Sequence, residues 1–176
     1  MNLQIAPPIL DVEASGFGAG SYPIEIGYVF GDGIAYCTLI QPAPGWNHWD
    51  PAAEAVHGIS RYVLQHRGRT VAEVARDLNA RLDGRIVYSD AWGNDLAWLA
   101  KLFDEAGLVQ RFRLESLRSL LTDREAAAWH AAKDAVLAET PSGRHRASRD
   151  ADVLRRALLR VKREYETGSG VAQPEP

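Results

Sequence analysis

Cysteine and long apolar runs are nearly missing from this chain of 176 residues. The one cysteine, Cys37, excludes an internal disulfide, and its place in the apolar run 34–40 predicts a small buried hydrophobe rather than a nucleophile. No segment approaches the ~18 uninterrupted apolar residues of a membrane span. Residues 1–8 lack the basic start and apolar stretch of a secretion signal. These absences predict a soluble protein of the cytoplasm with no membrane partner.

The composition is typical of one compact domain. Hydrophobic residues make up 46% of the chain, which is enough for a buried core, and the length leaves no room for a second domain. We expect a single domain over residues 1–166, followed by a disordered tail over residues 167–176.

Charge is unevenly distributed along the chain. The net charge is −3, yet residues 144–163 contain eight Arg or Lys and only two Asp. Such a segment is either the solvated basic face of a helix or a surface that follows nucleic-acid phosphates. The charge pattern leaves both interpretations open.

Hydrophobic periodicity predicts strands first and then alternating helices and strands. Three β-rich runs separated by turn-forming residues, at 8–13, 24–30 and 34–40, predict an antiparallel unit. Five helices are expected at 51–56, 70–82, 94–106 with Asn94 as its cap, 122–137 and 148–165, and two strands at 85–88 and 112–117. This order predicts an α/β fold with a central mixed five-stranded sheet flanked by helices.

The first strand carries two carboxylates on one face. Residues i and i+2 of a strand point to the same side, so Asp11 and Glu13 lie next to each other while Val12 points to the other side. Like charges on a buried strand resist ionisation unless a cation lies between them. Oxygen ligands favour Mg²⁺ or Mn²⁺ over zinc, so the pair is a candidate metal site.

Three further side chains extend this acidic set. Asp95 is expected in the first turn of a helix, where an acid is ordinary. His145 precedes Asp150 by five residues at the start of the last helix, which capping alone would explain. In combination, an acidic pair, an isolated Asp and a His-x4-Asp segment are typical of a two-metal site built from distant segments. Such a site favours phosphodiester hydrolysis.

Four segments resemble the motifs of the DEDDh 3′-5′ exonucleases, which include proofreading subunits of DNA polymerases, oligoribonuclease and ribonuclease T. Asp11–Gly16 followed by Pro23–Gly27 is similar to their first motif. His57-Gly-Ile-Ser60 is similar to their His-Gly-Ile-Thr segment. Asn94–Leu99 and His145–Ala151 are similar to the second and third motifs. The likeness extends from residue 9 to about residue 160 and implies a ribonuclease H-like fold.

The resemblance implies a role for each site residue. Asp11 would be shared by two Mg²⁺ or Mn²⁺ ions, Glu13 and Asp150 would complete the shell of one ion, and Asp95 would support the other. His145 would take the proton from the attacking water. The products would be nucleoside 5′-monophosphates released from the 3′ end of a single strand.

The middle metal ligand has two candidates in the sequence. Asp90 directly follows a predicted strand and competes with Asp95. The Leu-Ala-Trp-Leu register after Asp95 matches the second motif and favours Asp95.

The loop after the first motif is where the family holds the terminal nucleotide. The matching substrate-binding candidates are Val12, Ser15, Gly16, Phe17 and His57. Trp46 and Trp49 either offer further stacking surfaces or anchor their loop to the core.

The sequence leaves the choice between RNA and DNA open, and also the oligomeric state. A homodimer is compatible with the resemblance, because ribonuclease T and oligoribonuclease are homodimers. A non-catalytic nucleic-acid-binding module on the same fold and a metal-dependent nucleotidase are the alternative functions.

Overall fold

The chain folds around one five-stranded sheet in the computed structural model, which describes residues 5–140 and 145–168. The strands are β1 (Ile9–Ala14), β2 (Pro23–Val29), β3 (Ala35–Leu39), β4 (Ile86–Ser89) and β5 (Arg113–Ser116). The helices are α1 (Pro51–His57), α2 (Arg61–Arg67), α3 (Val71–Leu82), α4 (Trp92–Ala106), α5 (Asp123–Glu139) and α6 (Ala147–Gly168), with a 3₁₀ turn at Leu117–Leu120. The sheet order is β3-β2-β1-β4-β5.

The mixed sheet predicted from the sequence is confirmed. Strands β1, β2 and β3 are antiparallel neighbours, whereas β4 is parallel to β1 and β5 is parallel to β4. The turn between β2 and β3 is closed by a hydrogen bond from Phe30 N–H to the carbonyl of Ile34, with Gly33 at a φ of 88°. Strand β1 therefore lies in the centre of the sheet. Because β1 and β4 are parallel, their carboxyl ends lie at the same edge of the sheet.

Side-chain caps explain most helix starts. The Asp50 carboxylate accepts a hydrogen bond from Ala52 N–H at 2.8 Å, with Pro51 as the first helical residue of α1. Thr70 and Thr122 each form a capping box with the glutamate three residues later, at the starts of α3 and α5. These helices agree with the prediction because their start signals are local.

Helices cover both faces of the sheet. One core cluster places α3 and α4 against the face that carries Leu10 and Val12. The other places α5 and α6 against the opposite face, where Ile9 and Val29 lie. Asp11 and Glu13 alternate with Leu10 and Val12, so they lie on the α6 side.

Three expectations are wrong. Helix α2 was not predicted, although Ser60 caps it by accepting a hydrogen bond from Val63 N–H at 3.3 Å. Helix α4 begins at Trp92, so Asn94 is not its cap. Cys37 is exposed because it lies on the edge strand β3.

Helix α6 is the last element in the described part of the chain. Helix α6 continues to Gly168; the rest of the predicted tail, residues 169–176, lies outside the described residues. Within the described ranges, no helix combines the length and apolar character needed to span a bilayer.

Candidate active site

Strand β1 presents its two carboxylates towards the start of α6. In the antiparallel register with β2, Asp11 is opposite Gly27 and Glu13 is opposite Glu25. Val12, whose side chain points to the other face, is 6% exposed. The strand thus holds Asp11 and Glu13 side by side, as the alternation of side chains predicted.

The residues just before α6 and its first turn bring His145 and Asp150 to this pair. One potential ligand atom from each of Glu13, His145 and Asp150 lies within 4.8 Å of the others. His145 Nδ1 is 2.9 Å from Asp150 Oδ2, and the His145 side chain is 60% exposed against 19% for Asp150. Asp11 lines the same hollow of about 140 Å³ as His145 and Asp150.

Asp95 reaches the site from the first turn of α4. Its residue is fully buried, and one carboxylate oxygen accepts a hydrogen bond from the hydroxyl of Ser89, at the end of β4. The other oxygen, Oδ1, has no hydrogen-bond partner among residues 5–140 and 145–168. Asp95 lines a cleft together with Asp11 and Glu13. A buried carboxylate oxygen without a partner is costly unless a ligand completes it.

Asp90 lies near the site in a different environment. Its Oδ2 is 2.7 Å from Lys133 Nζ, so its charge is paired with a lysine of α5. It lines the 140 Å³ hollow beside Asp11, His145 and Asp150. The structure therefore places both candidates for the middle ligand close to Asp11, but only Asp95 combines full burial with an unpartnered oxygen.

The carboxylates oppose one another's ionisation. Burial raises the pKa of Asp11 well above its usual range, and the charges of Asp95 and Glu13 raise it further. Burial, followed by repulsion from Asp150, raises the pKa of Glu13 to about 7, although His145 acts in the opposite direction. Burial also raises the pKa of Asp95 to about 7, against the hydrogen bond from Ser89. A divalent cation would relieve these costs.

The donor set fits hard divalent cations. Four carboxylates and one imidazole converge from β1, α4 and α6, and Asp95 Oδ1 is free to bind. Oxygen-rich sites of this kind suit Mg²⁺ and Mn²⁺, and an imidazole is also a ligand for zinc. The arrangement can hold cations beside an open cleft.

The cleft next to the carboxylates has a volume of about 240 Å³. Gly16 lines it with a φ of 140°, and a Cβ there would be 2.7 Å from Asp50 Cβ, so the loop requires glycine at this position. Phe17 is 73% exposed at the rim, with its ring centroid 6.0 Å from that of Trp98. The loop thus presents an aromatic side chain to the cleft.

His57 lines the same cleft as a buried hydrogen-bond donor. Its residue is 3% exposed, and its Nδ1 accepts a hydrogen bond from Ile59 N–H at 3.0 Å. The ring proton is therefore on Nε2, which has no partner within the described part of the chain. Burial lowers the pKa of His57, which favours this neutral tautomer.

Other side chains named from the sequence are engaged within the fold. The buried hydroxyl of Ser15 accepts a hydrogen bond from Tyr22 N–H and lies 3.0 Å from His48 Nδ1. Trp46 stacks on Tyr22 with ring centroids 5.1 Å apart, and Trp49 Nε1 donates to Glu54 at 2.7 Å. These contacts favour the anchoring interpretation of the two tryptophans.

The basic C-terminal segment is partly neutralised by acids. Arg156 and Arg160 both pair with Glu139, Arg155 pairs with Asp152, and Lys162 pairs with Glu125 at 2.8 Å. Part of the positive charge of this segment is therefore engaged in ion pairs within the fold.

Trp98 and Lys133 are among the lining residues that sequence reasoning missed. Trp98 follows Asp95 by three residues, a helical spacing that places both on one side of α4, and this signal is present in the sequence. Lys133 lies 43 residues from its partner Asp90, and no local pattern indicates that contact.

Solved structures of exonuclease I match this architecture, although no family model and no curated protein matches the sequence. Exonuclease I of E. coli with a dA16 oligonucleotide gives a TM-score of 0.69 at 13% identity, over 93% of this chain and 43% of that chain. The zinc-bound E. coli complex with single-stranded DNA gives 0.64 at 13% identity, over 92% and 40%. Exonuclease I from Methylocaldum szegediense gives 0.64 at 16% identity, over 92% and 41%. The chain shares their fold.

This likeness confirms the predicted fold class, an α/β ribonuclease H-like fold with a mixed five-stranded sheet. The chain corresponds to less than half of the length of these exonuclease I chains. The matched part includes almost all of the present chain.

Proposed function

We propose that this protein is a metal-dependent 3′-5′ exonuclease that hydrolyses single-stranded nucleic acid to nucleoside 5′-monophosphates. The observation that carries the proposal is the convergence of four carboxylates and His145 around a cleft and a smaller hollow that share Asp11, with Asp95 Oδ1 buried and without a partner in the described part of the chain. The exonuclease I neighbours, two of which are complexes with single-stranded DNA or an oligonucleotide, support the substrate class.

The carboxylates would hold two Mg²⁺ or Mn²⁺ ions. Asp11 lines both the cleft and the smaller hollow, which supports a role as the shared ligand. Glu13 and Asp150, which lie close together, would serve one ion, and Asp95 would serve the other. When bound, such ions polarise the phosphate and lower the pKa of the attacking water.

His145 would act as the general base through Nε2. The Asp150 carboxylate can only accept hydrogen bonds, so the 2.9 Å contact requires the proton on His145 Nδ1. Nε2 then carries the lone pair that takes the proton from water. Asp150 thus fixes the tautomer of His145 while its second oxygen remains available to a cation.

The terminal nucleotide would occupy the 240 Å³ cleft. Phe17 offers a face for the base at the rim, and stacking of a base on an aromatic ring contributes about 1–3 kcal/mol. His57 Nε2–H would donate to a phosphate, ribose or base oxygen, which satisfies its buried donor. An unpaired end is required, because a base-paired nucleotide would not enter.

Cleavage of matched RNA and DNA oligonucleotides tests the proposal. In the presence of Mn²⁺, the wild-type chain should shorten a single strand, Asp11→Asn should leave it intact, and His145→Gln should slow turnover by about 100-fold or more. Tight binding of the strand without shortening would favour the non-catalytic module. Release of phosphate from mononucleotides, with intact oligonucleotides, would favour the nucleotidase.

The same matched RNA and DNA oligonucleotides show whether the protein prefers ribose or deoxyribose in its substrate. A ratio of kcat/KM for RNA to DNA well above one requires a contact to the 2′-hydroxyl in the cleft, and a ratio near one excludes such a contact. Gel filtration at two protein concentrations tests whether the active form is a homodimer.

A further inference from the structure

A buried carboxylate on β2 lies behind the candidate active site. Glu25 is fully buried, and its side chain accepts hydrogen bonds from Arg146 Nε at 2.9 Å and from Ala147 N–H at 2.9 Å. A second hydrogen bond from the Arg146 guanidinium makes the contact bidentate. Arg146 and Ala147 directly follow His145, so these bonds fix the backbone that carries the imidazole.

The register of the sheet makes Glu25 part of a two-point support. Glu25 is opposite Glu13, and Gly27 is opposite Asp11, so all four residues lie on the α6 side of the sheet. A Cβ at Gly27 would overlap the backbone of Ala147 and Ser148, so the start of α6 rests directly on β2. Glu25, which is opposite Glu13, binds the segment 146–147 through hydrogen bonds. Gly27, which is opposite Asp11, has no side chain and so leaves room for the backbone of residues 147–148.

We propose that Glu25 is a positioning residue for His145, acting through Arg146 and Ala147 N–H and without contact to substrate. The proposal rests on the proposed exonuclease function. The His145 side chain is 60% exposed and forms a hydrogen bond to Asp150, so its location depends on the backbone anchor. A displacement of about 1 Å at a catalytic group lowers a rate by as much as 100-fold.

The charges of the pair allow a clean substitution. Arg146 is 49% exposed, so water can solvate it when Glu25 loses its charge, whereas removal of Arg146 leaves a buried anion. Glu25→Gln keeps the size of the side chain and an acceptor for Ala147 N–H. It weakens the bond to Arg146 because a neutral amide replaces a charge-assisted acceptor.

The test compares Glu25→Gln with Glu125→Gln. The control breaks the buried ion pair that joins α5 to α6, Glu125 with Lys162, whose side chains are 9% and 13% exposed. Lys162 is twelve residues beyond Asp150, which is ~18 Å along the helix. Glu25→Gln should lower kcat by about 10- to 100-fold with KM changed less than twofold. Glu125→Gln should lower the melting temperature and leave kcat within twofold.

Two further measurements separate positioning from mere stability. Arg146→Lys should retain more of kcat than Arg146→Gln, because a lysine keeps one charged hydrogen bond to Glu25. The ¹⁵N resonances of His145 in the metal-free chain should shift in Glu25→Gln and stay unchanged in Glu125→Gln.

The outcomes distinguish the two proposals. An unchanged kcat and unchanged His145 resonances in Glu25→Gln would overturn the positioning role, even if the wild type cleaves. A wild type that binds strands and never cleaves them would overturn the exonuclease proposal, while the His145 resonances would still decide whether Glu25 positions the imidazole.

Discussion

Asp95 has the least satisfied polar atom among the acids of the site. Its Oδ1 is buried without a partner, and burial raises its pKa to about 7, whereas Asp90 is paired with Lys133 at 2.7 Å. The sequence offered both residues, and the register after Asp95 favoured it. The two residues differ in their environments: Asp95 is buried next to Ser89, and Asp90 is paired with Lys133. Neither contact can be inferred from the motif.

We expect Asp95→Asn to abolish cleavage and Asp90→Asn to retain activity within about tenfold. The same Asp95→Asn variant should raise the melting temperature of the metal-free chain above pH 7, because it removes a buried charge while an amide oxygen still accepts from Ser89. Steady-state cleavage and thermal melts with and without Mg²⁺ measure both effects. Equal loss of activity in the two variants would contradict the assignment.

Phe17 is the aromatic side chain at the rim of the cleft, and it is 73% exposed. Phe17→Ala should raise KM about 5- to 100-fold, the equivalent of 1–3 kcal/mol of lost stacking, with stability changed by less than about 0.5 kcal/mol. Val109→Ala is the matched control, since Val109 is 83% exposed and does not line the cleft. A KM equal to that of the wild type would remove Phe17 from substrate binding.

At the scale of elements, local signals explain which helices and strands were predicted. The capping residue Thr70 and the alternation of side chains along β1 are properties of short segments, so they can be recognised in the sequence. Helix α2 has only seven residues and no clear apolar stripe, and α4 begins two residues before Asn94 without a side-chain cap. The contact between β2 and the start of α6 joins residues 121 apart, as in Glu25 and Arg146, and no local signal reports it.

The capping box of α3 gives a prediction about stability alone. Thr70→Ala removes the acceptor for Glu73 N–H and should lower the free energy of unfolding by about 1 kcal/mol. Cleavage should be unaffected at temperatures where the chain is folded, because α3 contributes no side chain to the cleft. Urea denaturation measures the first effect, and a parallel loss of kcat would show that α3 supports the site.

For the whole molecule, the site makes the metal-free fold sensitive to pH. The pKa of Glu13 rises from 4.5 to about 7 and that of Asp95 from 3.8 to about 7 on folding. Between pH 4 and 7 the folded chain therefore binds more protons than the unfolded chain, and the free energy of unfolding falls as pH rises. Each group contributes on the order of 3 kcal/mol to this loss, which is complete above about pH 7.

Divalent cations should reverse this trend. Mg²⁺ or Mn²⁺ binds the ionised carboxylates, so at 100 times its dissociation constant it should restore about 2.7 kcal/mol at pH 8 and little at pH 5. Thermal melts of the wild type at both pH values, with and without Mn²⁺, test the sign. A metal-free chain that is more stable at pH 8 than at pH 5 would contradict the raised pKa values, and Asp95→Asn should show a smaller pH effect.

The segments that carry the candidate site residues are distant in the sequence, and the topology of the sheet brings their elements together. Asp11 and Glu13 on β1 lie beside the end of β4, after which α4 delivers Asp95, and α6 crosses the same face to deliver His145 and Asp150. Glu25 and Gly27 lie in the segment Pro23–Gly27 that resembles the first motif, but the sequence alone did not predict a role for them. Their structural role depends on the packing of α6 against β2.

Time courses on one single-stranded oligonucleotide, labelled either at its 5′ end or at its 3′ end, decide whether the chain is a metal-dependent 3′-5′ exonuclease. With Mn²⁺ present, the 5′-labelled strand should yield a ladder of progressively shorter products, and the 3′ label should appear at once as a nucleoside 5′-monophosphate. Asp11→Asn should leave both strands intact. Internal fragments, early release of the 5′ label as a mononucleotide, or full activity after complete removal of divalent cations would contradict the account.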